Sequence, residues 1–334
     1  MKICIRQIRG NSGTDVWANT LSSGLQRAGH QCVVDLRSIL YQFVPADLSL
    51  LKNEKEFGII HGNSWNAYAF KEGCPLVVTE HLVVHDPAYN PYRTFPQKIF
   101  HHWIYRCEQR SFEAADAVVC VSDYSKEKVE DAFGCSNCKR IYNGIDTDRF
   151  SPSGSCERPL EIPDNKIVLF FAGNLSTRKG ADLLPSIMNQ LDDRFILVLA
   201  SGYQHRTVHE NHRIINLGHL NLASLINMYN ICDIFLTPTR LEGFGLSIAE
   251  AMSCAKPVVA TNCSSIPELV VDEKGGFLCE IDDVDMFSKR IRYLSENPDV
   301  REQMGKFNRE RVLTSFTQSQ MVKNYLQLYQ SLIE

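Results

Sequence analysis

A chain of 334 residues exceeds one ordinary single-core domain and suits two. Its 44% hydrophobic and 22% charged residues are the composition of a soluble globular protein, and a net charge of −4 excludes a global basic field for nucleic acid. Apolar runs such as IVLFFAG (167–173) fall far short of the roughly 20 residues that cross a bilayer, which excludes a membrane-spanning helix.

The opening segment MKICIRQIRG lacks the apolar core and cleavage site of a signal peptide and reads as a strand. Strand-like runs continue with QCVVDL, FGIIHGN, PLVVTEHL, DAVVCVS and KRIYNGI, and helical patterns lie between them, most clearly over 14–28 and 97–114. Gly29 suits the residue just past a helix end. Such alternation predicts a parallel sheet with helices on both faces.

Around 150–164 the periodicity stops, and FSPSGSCERPLEIPD reads as an interdomain linker. Alternation restarts with KIVLFFAG, RFILVLAS, HRIINLG, DIFLTP, PVVAT and GGFLCE. The closing stretch puts Met321, Tyr325, Leu328 and Leu332 on one helical face. Two α/β units are expected, with ligands bound at the carboxyl ends of their strands in a shared cleft.

The 12 cysteines are scattered singly, and only Cys135 and Cys138 form a C-x-x-C. Without a second pair or a His at ligand spacing, no zinc site is expected, and the chain reads as reduced and cytoplasmic.

The informative stretch is PTRLEGFGLSIAEAMSCAKPVVAT, 238–261. A strand runs into a loop with Gly243 and Gly245, and a helix begins near Ser247. Such a loop exposes unpaired N–H groups at the positive end of a helix dipole, where a phosphate or diphosphate binds well. Glu242 precedes the helix and Glu250 lies one turn inside it, placed to reach opposite ends of a ligand seated on the loop. By itself the pattern also fits a plain strand–helix turn with solvated acids.

Here the chain resembles the family 4, or group 1, retaining glycosyltransferases. Their E-x7-E motif, preceded by Pro-Ser/Thr and followed by E-A-x-x-x-G-x-P-V-V, is matched by Pro238, Thr239, Glu242, Glu250 and AMSCAKPVVAT, with Lys256 standing for the usual glycine before Pro257. Further landmarks fall in family order: IYNGID (141–146), FAGNLSTRKGADLL (171–184), LGHLNLASLINMYNICDIFL (217–236), SSIPELV (264–270) and GGFLCE (275–280). The resemblance implies the GT-B fold, two Rossmann-like doubly wound parallel-sheet domains. Residues 1–148 with 316–334 would form the acceptor-side domain, the last helix crossing back to it, and 157–315 the donor-binding domain.

The resemblance also implies roles. Glu250 would accept the donor ribose hydroxyls and Glu242 those of the transferred sugar. The backbone of Phe244, Gly245 and Leu246 would surround sugar and diphosphate, Lys179 would neutralise the departing diphosphate, and backbone near His219 and Leu220 would meet the base. The family's arginine ahead of the lysine is replaced by Asn174, which leaves Arg178 as a substitute or Lys179 with backbone as the whole grip. In the first half, His81 would face the sugar, with His85 and Asp86 as rivals, and the loop RGNSGTD, with Gly10 and Gly13, would let backbone approach sugar and acceptor.

DTD (146–148) and DVD (283–285) imitate a metal motif of another fold; the second reads as a capped helix start, and neither is expected to bind metal. In 93–110, Ile99, Phe100, Trp103, Ile104 and Cys107 share a helical face expected to pack on the sheet, although Arg93, Lys98, Arg106 and Arg110 around it would also suit an anionic membrane surface. The implied activity is metal- and cofactor-free transfer of a hexose-type sugar from a UDP- or GDP-sugar to a glycan, glycolipid or small-molecule hydroxyl, as in cell-surface polysaccharide assembly. The rivals are an epimerase or hydrolase on the same fold and a silent nucleotide-sugar binding subunit. Neither donor base nor acceptor is legible.

Overall fold

Runs that are apolar at every residue form strands of parallel sheets, because such strands are covered on both faces. The computed structural model describes residues 1–10, 13–38, 41, 57–154, 156–201 and 212–334. Two compact units account for them: Met1–Gly144 with Thr317–Glu334, and Ile145–Phe316.

In the first unit the elements run β1 (Lys2–Ile8), α1 (Gly13–Arg27), β2 (Gln31–Arg37), β3 (Ile59–Asn63), β4 (Leu76–Glu80), α2 (Phe95–Ala114), β5 (Ala117–Cys120), α3 (Asp123–Phe133) and β6 (Lys139–Arg140). The sheet order is β2-β1-β3-β4-β5-β6, every pair parallel. Helix α1 stops at Gly29, whose φ of 84° a residue with a Cβ adopts only at a cost. Helix α2 opens with a full capping box between Thr94 and Gln97. The expected strand 139–145 pairs only at Lys139–Arg140, since its neighbour β5 is four residues long.

The second unit continues with β7 (Ile167–Ala172), α4 (Leu184–Gln190), β8 (Phe195–Ala200), β9 (Ile214–Asn216), α5 (Leu222–Ile231), β10 (Ile234–Thr237), α6 (Leu246–Ser253), β11 (Val258–Thr261), α7 (Ile266–Leu269), β12 (Gly276–Cys279), α8 (Val284–Glu296) and α9 (Pro298–Ser315). Its parallel sheet has the order β12-β11-β10-β7-β8-β9, the doubly wound order of dinucleotide-binding folds. One cluster of its core is centred on Phe171, Phe195, Leu197, Leu236 and Phe287. The segment 151–157 is stitched to α5: Asn230 and Asn227 exchange side-chain hydrogen bonds with Ser151, Ser153 and Glu157.

The last helix, α10 (Gln318–Ile333), returns to the first unit. Met321, Tyr325 and Leu328 are buried against Trp17 and Leu21, with Leu332 partly buried and Val322 and Tyr329 completing the face. At Gly24 a Cβ would stand 2.4 Å from Val322 Cγ2, so glycine is what lets α1 and α10 approach.

One packing expectation fails. In α2, Ile104 and Cys107 are buried with Glu108, Ser111 and Phe112, but Ile99 is 60% and Trp103 41% exposed. The face that packs is rotated toward the polar residues because Glu108 and Ser111 are drawn inward by partners beneath them. No helix among the described residues is long and apolar enough to cross a membrane.

Candidate functional site

In the second unit, β7 and β10 are neighbours from which the chain leaves toward opposite edges of the sheet. At such a switch point the loops diverge and open a crevice. The segment after β7 carries Asn174, Arg178 and Lys179; the segment after β10 carries Glu242 and leads into α6.

The loop after β7 tightens into a single 3-10 turn, Thr177–Lys179, whose cap Ser176 accepts a bond from the Lys179 N–H at 3.4 Å. Gly180 follows with φ 69°, and a Cβ there would lie 1.9 Å from the Pro238 carbonyl oxygen. Only glycine allows the two loops to touch, and they are then stitched. The Arg240 N–H and the Thr239 hydroxyl both donate to the Arg178 carbonyl, at 2.8 and 2.9 Å. The Arg178 guanidinium donates to the Leu241 carbonyl at 2.8 Å and stands 3.7 Å from Glu242 Oε2. Lys179 Nζ forms an ion pair with Glu242 Oε1, and the Thr239 hydroxyl lies 3.1 Å from the same oxygen.

Glu242 and Glu250 are both buried. Burial would raise the Glu242 carboxyl, but the charges of Lys179 and Arg178 outweigh it and hold the group below the usual carboxylate range. Burial lowers the Lys179 ammonium, and Glu242 opposes that shift without cancelling it. Burial pushes Glu250 up to about 7, against the Tyr229 hydrogen bond and the more distant charge of Lys179. Its Oε2 accepts a bond from the Tyr229 hydroxyl at 2.7 Å, which fixes the carboxyl plane.

Helix α6 starts at Gly245, φ 97°, without a side-chain cap. The Phe244 side chain is buried edge-on against Phe316, leaving its backbone to line the loop. Leu246 is the first helical residue. His219 and Leu220 follow β9 at the same carboxyl edge of the sheet, after Gly218, whose N–H is held by Asn216 Oδ1 at 2.9 Å. The side chain at position 174 is half-buried, and its carbonyl accepts from the Ser176 N–H at 2.8 Å.

Several residues of this site carried no separate signal in the sequence. Arg240 is buried; it grips Asp182 through two bonds of 2.8 and 2.9 Å and Asp282 at 2.7 Å, and donates to the Thr177 carbonyl. Ser264 Oγ accepts the Glu242 N–H at 2.9 Å, and the Ser265 hydroxyl donates to the Glu242 carbonyl at 3.1 Å. Ser264 and Ser265 open the SSIPELV landmark and Arg240 lies within the 238–261 stretch, but neither motif singled these residues out. The left-handed residue in the turn after α6 is Ala255, φ 57°, and not Lys256. The family glycine therefore corresponds to Ala255, and counting E-A-x-x-x-G from Glu250 gives the same position. Lys256 instead donates to the Asn230 carbonyl at 2.7 Å.

In the first unit, His81 follows β4, with its ring 4.6 Å from Trp17 in an edge-on contact. Its Nε2 is buried without a partner among the described residues, and burial pushes the ring down to about 3, so it is neutral. His85 packs edge-on against Tyr105 and Phe133, with Nδ1 3.2 Å from buried Glu108. Asp86 caps the 3-10 turn Pro87–Tyr92. Gly10 donates its N–H to the Asp15 carboxylate, Gly13 opens α1, and Asn11 and Ser12 between them lie outside the described residues. Both D-x-D segments have local roles: Asp146 accepts from the Arg149 N–H, and Asp283 caps α8 by accepting from Met286 at 2.9 Å.

Residues 156–311 match the family described as Glycosyl transferases group 1, and residues 35–149 match Glycosyltransferase Family 4. Alpha-maltose-1-phosphate synthase of Mycolicibacterium smegmatis is 24% identical over 318 residues, 85% of this chain and 81% of that protein. Sucrose-phosphate synthase from Thermosynechococcus elongatus superposes with a TM-score of 0.87 at 18% identity over 99% of both chains. HepE of Anabaena, solved in complex with UDP-glucose, superposes with a TM-score of 0.76 at 19% identity over 99% of this chain and 100% of that one. Against other curated relatives, the chain spans 53 to 62% of their length.

Proposed function

Because the chain belongs to the group 1 glycosyltransferases and has their GT-B fold, we propose that it moves a hexose-type sugar from a UDP- or GDP-sugar to an acceptor hydroxyl with retention of anomeric configuration. The observation that carries this reading is the meeting of Lys179, Arg178 and Glu242 at the switch point, ahead of the uncapped start of α6. A diphosphate seated there meets both the N–H groups of a helix start and an ammonium.

Without donor, Lys179 and Glu242 neutralise each other, which keeps two buried charges in place. Donor binding divides the pair. The ammonium turns to the diphosphate, and the carboxylate accepts hydroxyls of the sugar. As the glycosidic bond breaks, charge grows on the departing phosphate and Lys179 stabilises it; loss of one such preorganised group costs roughly 10²–10³ in rate. Glu250, held by Tyr229, accepts the ribose hydroxyls, and the backbone of Phe244, Gly245 and Leu246 lines sugar and diphosphate. Neutral His81 offers Nε2 to a sugar hydroxyl. In the front-face displacement the departing phosphate takes the acceptor proton, so neither a protein nucleophile nor a metal is needed. Polysaccharide or glycolipid assembly is the proposed setting, with peripheral contact at an anionic membrane through the basic flank of α2.

The test is product analysis with a panel of nucleotide-sugars, with and without glycan or glycolipid acceptors, reading nucleotide release and the anomeric coupling of the product by NMR. Acceptor-dependent release with a retained linkage is expected, and EDTA should leave the rate within a few-fold. Release without acceptor would make the protein a hydrolase or epimerase. Tight donor binding with no turnover would make it a silent subunit. Abolition by EDTA with rescue by Mn²⁺ would overturn the metal-free reading.

A further inference from the structure

Helix α3 ends at Gly134, φ 66°, and the chain turns through Cys135, Ser136, Asn137 and Cys138 into β6. Strand β6 lies on β5, with Arg140 opposite Cys120, and the Ile141 N–H donates to the Cys120 carbonyl at 3.0 Å. This pairing brings the turn over the end of β5. Cys120 and Cys138 are buried in one cluster with Val118 and Val129, and half-buried Cys135 packs against it. The Cys138 thiol donates to the Cys135 carbonyl at 3.2 Å.

We propose that Cys135 and Cys138 form a thiol–disulfide exchange site, reactive toward small disulfides of the glutathione class. The first and fourth residues of a turn have Cα atoms within about 7 Å, close to the roughly 4.4–6.8 Å that a disulfide spans, so the bond closes without moving either flanking element. Exposure assigns the order. Cys135 is the sulfur that a reagent reaches, and Cys138 resolves the intermediate. The Cys135 thiolate attacks the reagent disulfide, forming a mixed disulfide and expelling one R–S⁻. The Cys138 thiolate then attacks the Cys135 sulfur, forming the Cys135–Cys138 bond and expelling the second R–S⁻. Two electrons and two protons leave the protein pair, and the reagent is reduced to two R–SH. Burial pushes the Cys135 thiol up to about 12, so its thiolate is scarce at neutral pH and closure should quicken as pH rises.

Trypsin isolates the site, because cleavage after Lys128 and Lys139 leaves Cys135 and Cys138 on one peptide, while Cys120 falls in 111–126 and Cys156 in 150–166, the Arg158–Pro159 bond resisting cleavage. Intact folded protein is incubated with glutathione disulfide, the remaining thiols are alkylated, and the digest is weighed. The 129–139 peptide should lose two hydrogens, escape alkylation at both cysteines and regain them with dithiothreitol. Cys135→Ser should leave Cys138 alkylated. Full alkylation of 129–139 while Cys156 takes up glutathione would overturn the proposal. So would a glutathione adduct persisting on Cys135, or a cross-link between 111–126 and 129–139. The wild-type digest alone decides among these outcomes, whether or not a variant folds.

Discussion

Two glutamates eight positions apart on one loop–helix unit differ because their neighbours differ. Glu242 faces Lys179 and Arg178 and stays ionised; Glu250 faces a tyrosine hydroxyl and titrates near 7. Replacing Glu250 with Ala should weaken a nucleotide-sugar and the free nucleotide alike by about 1.5–3 kcal/mol, the usual worth of hydrogen bonds to a charged acceptor. Glu242→Ala should spare nucleotide affinity and reduce turnover. Calorimetry on both variants checks the pair, and unchanged nucleotide affinity in Glu250→Ala would remove the ribose assignment. The raised carboxyl also sets a pH dependence. On the proposed ribose role, the hydroxyls would donate to the ionised form, so nucleotide-sugar affinity should tighten as pH rises through about 7 and then level. Glu250→Gln should flatten that profile. The phosphate grip is a second residue-scale question. Lys179 aims its ammonium at the site, whereas the Arg178 guanidinium is already bonded to the Leu241 carbonyl. Lys179→Ala should therefore lower kcat by about 10²-fold or more, with a smaller change in donor KM. Arg178→Ala should cost less. Steady-state kinetics that reverse this ranking would move the role to the arginine.

At the scale of elements, the site is two loops tied into one. Gly180 lets the backbones touch, Arg240 ties the 3-10 turn to Asp182 and Asp282, and Ser264 and Ser265 hold the Glu242 peptide from the far side. The turn after α6 is less well solved by its sequence. Ala255 holds a left-handed backbone that costs a residue with a Cβ roughly 1–2 kcal/mol. Glycine removes that strain but gains freedom in the unfolded chain worth roughly 0.5–1 kcal/mol. Ala255→Gly should thus stabilise by about 0.5–1 kcal/mol, read as a higher denaturant midpoint with an unchanged slope. A lower midpoint would mean that the turn gains more from the alanine methyl than its backbone loses.

At the scale of the whole molecule, buried carboxyls set a pH response that composition cannot show. Glu80 and Glu108 are buried in the first unit, and burial pushes each up to about 8, with the charge of Glu108 adding to the rise at Glu80. The folded state therefore binds protons more tightly than the unfolded state between the usual carboxylate pKa and about 8. Stability from these groups falls as pH rises through that window, at about 1.4 kcal/mol per pH unit for each extra proton held. Glu108→Gln should decline less than wild type between pH 5 and 8. Parallel Tm profiles would show that the pair is ionised and compensated. His61 and His81, buried as neutral rings, act in the opposite sense below about 6.5. They cancel in the comparison of variant with wild type.

The order of strands and helices and the glycine-rich loop before α6 were legible in the sequence, because each is written in local periodicity or in residues that only one backbone conformation suits. Motif spacing brought Glu242 and Glu250 into view for the same reason, whereas the return of the last helix and Lys179 were implied by the family resemblance. The sequence could not show that Lys179 and Glu242 pair, that Arg240 and Tyr229 hold the site together, or that Ile99 and Trp103 stay exposed on α2. Those facts depend on which loops meet at the switch point of the sheet and which helix face finds a partner. The meeting residues stand up to 63 positions apart. Local pattern fixes an element's type and its apolar stripe, but the charges and surfaces that face each other exist only once the sheet has closed around them.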